Sequence, residues 1–288
     1  MPVKVENKEL DEERALYGIE YVQVENCKFQ GPADGESALK ECGVVEANDC
    51  FFDLRYPLWH DGAVTLNNCE LTENCRAALW YSQNINILNT KLHGIKALRE
   101  CKNAVMRDCD IISPEFGWNT VGIRLTDSKA SSEYFMMGAK NLAIRRLEFK
   151  GKYSFQYVKD AIIMDSTLHT KDAFWHSKNI TVENCVVIGE YLGWYSTNLT
   201  FKNCTIIGTQ PLCYCKNLKL IDCVMQDTDL AFERSEVYAV LRSKVDSIKN
   251  PLKGVIKAPE VGEIIRDEVK AKGRILIDPQ LLRGYRND

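Results

Sequence analysis

Ala173-Phe174-Trp175-His176-Ser177-Lys178-Asn179-Ile180-Thr181-Val182-Glu183-Asn184-Cys185 is followed nineteen residues later by the comparable run Leu192 to Cys204, and after the same interval by Pro211 to Cys223. A fixed period of this length marks a repeat architecture in which each unit buries its apolar face against the next. Carried back without gaps, the register places Ser166, Leu147, Ser128 and Cys109 where Cys185 stands. Two short insertions, Arg76-Ala77 and Asp34 to Ser37, bring Thr90, Cys69, Cys50 and Cys27 to the same place. Eleven coils result, with a degraded twelfth over residues 230–248.

Place within the coil separates core from surface. The eighth and tenth places are apolar (Ile85 and Ile87, Ile180 and Val182, Leu199 and Phe201), with mixed and polar residues between and after them. That alternation is the period of a half-buried strand. The fifteenth place (Phe29, Phe52, Leu71, Leu92, Ile206) predicts a second strand, and the second place (Leu39, Leu58, Leu79, Phe174, Leu212) a third. Between the first two strands runs a column of Asn26, Asp49, Asn68, Asn89, Asp108, Asp127, Asp165, Asn184, Asn203 and Asp222, broken by Arg146. A second column holds Asn84, Asn103, Asn141, Asn179, Asn198 and Asn217. Asn and Asp tolerate left-handed backbone and hydrogen-bond locally, so both columns predict corners. The fold class is therefore all-β, a single-stranded parallel β-helix of about eleven coils over residues 15–248. Residues 1–14 are expected to form an N-terminal cap or extension, and residues 249–288 a C-terminal cap that protects open strand edges.

The twelve cysteines are largely absorbed by this register. Those beside the first Asn/Asp column interchange with Thr90, Ser128 and Ser166, which says small and buried. A linear stack of rungs ~4.8 Å apart offers no tetrahedral cluster, so neither a metal nor another cofactor is expected. The four histidines form no cluster either. The net charge of -3, with both signs interspersed, argues against nucleic acid as a partner. No run approaches the ~20 apolar residues of a membrane span, and Met1 to Lys8 lacks the apolar core of an export signal. No membrane association and a cytoplasmic location are the expectations, with the thiols reduced.

Two surfaces remain as candidates for function. All five tryptophans, Trp59, Trp80, Trp118, Trp175 and Trp194, fall at the third place of their coils, and the fourth place adds His60, Tyr81, Tyr157, His176, Tyr195 and Tyr214. An aromatic stripe of this extent points to a partner. Three occupants compete: an oligosaccharide resting on stiff planar side chains, the C-terminal segment packed over the stripe, or a second copy in a homo-oligomer. The ligand-binding reading takes Trp59, His60, Trp80, Tyr81, Trp118, Trp175, His176, Trp194 and Tyr195. The second surface gathers Arg107, Asp110, Arg124, Lys129, Arg145, Glu148, Lys150 and His169 from adjacent rungs, where Arg146 and Leu147 break both ladders. Of these, Arg107, Asp110, Arg124, Arg145, Glu148 and His169 are the candidate catalytic residues. Alternating charges on neighbouring rungs are equally the pattern of an ordinary solvated sheet face.

The repeated Asn-Ile/Leu-x-Val/Phe-x-Asn-Cys of Asn179 to Cys185 and Asn198 to Cys204 resembles the pectin and pectate lyase-like superfamily, which implies a right-handed winding. More narrowly, Thr209 to Cys215 and Ile248 to Gly254 look like a bacterial family of intracellular β-helix proteins of unknown function, which implies no activity. The signatures of the superfamily's enzymes are missing. Polygalacturonase-like hydrolases carry Asn-Thr-Asp, Asp-Asp and Arg-x-Lys; here Asn119-Thr120 is followed by Val121, and no Asp-Asp occurs. Without paired carboxylates, acid-base hydrolysis of a glycoside has no visible machinery. Pectate lyases need clustered acids on calcium beside an arginine, and Asp110, Glu148, Arg124 and Arg145 fit this faintly, with Lys129 and Lys150 opposing a cation. The leading expectation is an oligosaccharide-binding protein. The alternatives are a self-associating scaffold and a polysaccharide lyase or hydrolase-like enzyme with a non-standard site.

Overall fold

In the computed structural model the backbone is described for residues 1–284, and these divide into two compact units, residues 1–148 and those from 149 onward. Both are parallel β-helix. In the first unit the tenth-place residues pair rung to rung as Val5, Val24, Ala47, Leu66, Ile87, Met106 and Leu125. In the second the same column runs Ile163, Val182, Phe201, Leu220, Ala239, Ile256 and Ile275. Stacking is so regular that buried rings lie face to face, Phe29 on Phe52 at 4.7 Å and Phe155 on Phe174 at 5.3 Å.

The corners are where the sequence put them. Asn26, Asp49, Asn68, Asn89, Asp108 and Asp127 all have φ between 46° and 53° in the first unit, as do Asp165, Asn184, Asn203 and Asp222 between 48° and 54° in the second. Side-chain amides hydrogen-bond along the column, Asn89 to Asn68 at 2.8 Å and Asn203 to Asn184 at 2.9 Å. Arg146 keeps the same backbone, φ 51°, and grips Asp127 below it with two guanidinium nitrogens. That contact holds the Asp127 carboxyl below its ordinary pKa. In the neighbouring column of thiols and hydroxyls, each side chain donates to the carbonyl two residues back. Examples are Cys50 to Asn48 at 3.1 Å, Thr90 to Leu88 at 2.8 Å, Ser166 to Met164 at 2.6 Å and Cys185 to Glu183 at 3.1 Å. All twelve cysteines are free and buried.

Two expectations need correction. The coils number about 14 rather than eleven. The extra ones come from the ends, because the strand Val3–Glu6 pairs in register with Tyr21–Glu25, and Lys253–Ala258 and Arg274–Ile277 continue the sheet beyond Glu236–Leu241. The third face is mostly not a strand. Strand pairing there joins Leu79–Trp80 to Leu98–Arg99 and, near the C-terminal end, Val245–Lys249 to Val261–Ile265, with Ala231 bridging to Ile248. Elsewhere the chain arches through alternating left-handed residues, such as Asp172, Phe174 and His176 at φ 52°, 63° and 54°. Such an arch alternates in and out with the period of a strand, so polarity alone does not distinguish the two.

Candidate functional site

The third-place tryptophans are half-buried, and neighbours cover much of their ring surface. In the first unit the Lys40 ammonium lies 5.4 Å from the Trp59 ring, Trp59 meets Trp80 edge-on at 5.1 Å, and the Arg99 guanidinium is held between Trp80 and Trp118 at 5.0 and 4.8 Å. The Trp118 indole N–H donates to the Tyr134 carbonyl at 2.7 Å, and that of Trp59 to Ala77. The Trp80 indole nitrogen is buried and has no hydrogen-bond partner among the described residues. These contacts fasten each indole to the coil wall, with cation–π attraction added. His60 and Tyr81, at the fourth place, stack at 4.9 Å and are exposed.

The second unit carries the longer array. Trp175 and Trp194 stack at 5.4 Å with 4° between their planes, and their indole N–H groups donate to the carbonyls of Tyr191 and Gln210 at 2.6 and 2.8 Å. Beside them Tyr157, His176, Tyr195 and Tyr214 form a fourth-place ladder with centroids 5.1, 5.0 and 4.9 Å apart and planes within 12°. Tyr157 and Tyr195 are 48% and 46% exposed. Because the faces lie against one another, solvent meets ring edges, the phenol oxygens and the imidazole. All four residues have left-handed backbone, φ 54° to 61°, a conformation costing roughly 1 to 2 kcal/mol per bulky residue.

One buried residue beyond the ladder, a column of lysines runs parallel to it. Lys159, Lys178 and Lys216 are exposed, and Thr197 fills the rung between the last two. Among the described residues none of the three lysines forms an ion pair. Asp160, at the same corner, accepts from the Asn179 side chain at 2.8 Å. Among the described residues, the strands of the tail do not lie across this array as a lid. Residues 253–258 and 274–277 pair edge-on with the sheet.

Arg107, Arg124 and Arg145 are exposed on the first-strand stretches of their coils in the first unit, and Asp110 and Glu148 on the second-strand stretches, across the corner that Asp108, Asp127 and Arg146 make; His169 lies on an exposed strand of the second unit. Three of them have charged partners: Arg107 has Asp108 at 3.3 Å, Asp110 has His93 at 3.0 Å, and Glu148 has Lys129 at 3.1 Å. The Lys129 and Glu148 side chains are 72% and 70% exposed, where ion pairs contribute little. No three His, Cys, Asp or Glu side chains converge as a metal cage among the described residues. No helix there is long and apolar enough to cross a membrane.

Sequence reasoning passed over Asp61. It is 1% exposed in a column whose other members include Cys42, Ser82, Cys101, Thr120, Ser177, Ser196, Cys215 and Ser235. One carboxyl oxygen accepts the Cys42 N–H at 2.8 Å and the other has no partner, so burial pushes the group up to about 8. An acid in a column of small side chains was the available signal. The lysine column had a signal too, a recurring Lys one place before the second Asn column at Asn179 and Asn217.

The sequence profile of the family described as "Protein of unknown function (DUF3737)" matches residues 3–277. No curated protein matches significantly in sequence. Among solved structures, the chain is similar to PfbA, a surface adhesin of Streptococcus pneumoniae, at 11% identity over 83% of this chain and 84% of that one, with a TM-score of 0.41. It is similar also to the A-module of the Azotobacter vinelandii mannuronan C-5 epimerase AlgE4, at 10% identity over 83% and 91%, TM-score 0.28. The periplasmic alginate epimerase AlgG follows at 8% over 96% and 74%, TM-score 0.26. At these values the likenesses carry no statement about what the chain binds.

Proposed function

We propose that this chain, which belongs to the DUF3737 family of proteins of unknown function, binds an extended, anionic oligosaccharide along the aromatic ladder of its second unit. The observation that carries the reading is the alignment of four stacked rings with three unpaired lysines. Rungs recur every ~4.8 Å, close to the length of one sugar ring in an extended chain, so successive sugars meet equivalent groups. Tyr157, Tyr195 and Tyr214 offer hydroxyls, His176 its ring nitrogens, and the ring edges a stiff surface that loses little entropy on contact. Lys159, Lys178 and Lys216 neutralise carboxylate or sulfate groups on the sugars. Trp175 and Trp194 form the floor beside the ladder. A single-stranded nucleic acid would need ring faces on which to stack its bases, and here the rings cover one another.

Calorimetric titration of the full chain with acidic and neutral oligosaccharides of increasing length tests this. Affinity is expected to rise with length up to about the span of the ladder, to prefer the acidic series, and to fall at least tenfold in both Tyr195→Ala and Lys178→Glu. Absence of binding to every acidic oligosaccharide, or binding indifferent to both substitutions, would overturn it. Light scattering on the same samples addresses the scaffold alternative: a mass that doubles with concentration and returns to monomer in Tyr195→Ala would assign the ladder to a second copy instead.

A further inference from the structure

The sheet face of the second unit carries a depression that the ladder does not use. It lies over the outward places of the strands Leu218–Gln226, Glu236–Leu241 and Lys253–Ala258, and encloses about 270 Å³. The pairing register lays its surface out as two columns, Lys219, Tyr238 and Val255 beside Ile221, Val240 and Lys257. The centre is apolar. Ile221 is 43% and Tyr238 59% exposed, and Val240 and Val255 are half-exposed. The two lysines stand at opposite corners, two rungs apart, so either end of the depression has an ammonium. No acidic residue lines it. Among the described residues neither lysine has an ion-pair partner, although Lys202, Lys244, Lys249 and Lys253 of neighbouring coils all do.

We infer that this depression binds an amphiphilic aryl carboxylate, its flat body on Ile221, Tyr238, Val240 and Val255 and its anionic end on Lys219 or Lys257. Three physical points select that class. Outward places on a strand are ordinarily polar where the face is solvated, so four adjacent apolar ones are an unexpected surface. Tyr and two β-branched valines give a flat floor that suits a planar body better than a bulky one. Two cations with no acid between them complement an anion, and a neutral or cationic guest would leave both without a partner. A guest of this size removes only part of its surface from water, so the interaction belongs in the micromolar to millimolar range.

The probe is 2-naphthoate, followed by its own fluorescence and by calorimetry on the full chain, with 2-naphthamide as the neutral counterpart of the same shape. Saturable binding of one equivalent is expected, at least tenfold tighter for the carboxylate than for the amide, and weakened by added salt. Lys219→Glu combined with Lys257→Glu should lower affinity tenfold or more, and Val240→Glu should abolish binding. All three positions face outward, so the circular dichroism of the variants should match the parent. Should Val240→Glu misfold, Val240→Thr keeps the β-branched shape and should weaken binding measurably. Tyr195→Ala, on the ladder, should leave naphthoate affinity unchanged, which separates this site from the oligosaccharide reading. Equal affinity for carboxylate and amide, non-saturable uptake, or indifference to both lysine reversals would overturn the inference.

Discussion

Among single residues, Asp61 has the largest consequence for stability. The same column in other coils holds donors to the coil below: Ser82 to Leu58 at 2.7 Å, Cys215 to Gly193 at 3.1 Å and Ser235 to Leu212 at 2.7 Å. A carboxyl can take that role only when protonated, and burial keeps it so up to about pH 8. An unfolded carboxyl releases its proton near pH 4. Between these values the folded chain binds the extra proton, so stability is full below about pH 4, falls as pH rises toward 8, and levels off above it. Asp61→Ser should flatten that slope and raise stability at pH 8 by a few kcal/mol, on the order set by ~1.4 kcal/mol per pKa unit. Urea midpoints of the two proteins at pH 5 and pH 8 check it; an unchanged difference between the two pH values in Asp61→Ser would count against a neutral Asp61.

At the scale of elements, the amide columns hold the corners. Asn198 gives an N–H to Asn179 at 2.8 Å and receives one from Asn217 at 2.8 Å, while its own backbone sits at φ 55°. Asn198→Ala loses both bonds and keeps a Cβ in left-handed backbone without the amide that offsets it, and should cost about 2 kcal/mol. Asn198→Gly loses the bonds but relieves the backbone, and should recover about 1 kcal/mol of that. Denaturant midpoints of the pair separate the two contributions. These columns were legible because Asn and Asp are the side chains that left-handed corners favour. The third face was not: Phe174, Trp175 and His176 alternate in and out on an arch as they would on a strand, and nothing in their polarity carries the sign of φ. The position of the tryptophans was legible as well, whereas the surface they present was not. Stacking of Trp175 on Trp194, and of Tyr157 through Tyr214, depends on rotamers that spacing does not reveal. The terminal coils escaped notice for a third reason. Val3 to Leu10 is mostly charged or polar, and residues 249–277 lack the Cys beside the corner, so both ends had lost the letters by which a coil is recognised.

The repeat has its largest effect at the scale of the whole molecule. Each coil contacts chiefly the coils above and below, so stability approaches a sum over neighbours. Removing residues 192–210, one complete period within the second unit, joins Tyr191 to Pro211 at equivalent places and restores every register. That deletion should retain the β-sheet circular dichroism and a cooperative, modestly lowered melting transition. Removing residues 192–200 shifts every later side chain to a wrong place and should abolish the transition of that unit. The same regularity gives the buried thiols a use. Burial raises those of Cys42, Cys109 and Cys215 to about 11 and those of Cys75, Cys101 and Cys213 to about 12, so these six show an alkylating reagent neither access nor thiolate, while Cys69 and Cys223, which neighbouring thiols hold below the ordinary value, are shielded by burial alone. A given sulfur reacts only in the interval when its own stretch of wall has come apart. With cysteines from residue 27 to residue 223, the chain is a row of native stopwatches, and the order in which they are marked is the order in which the winding loosens.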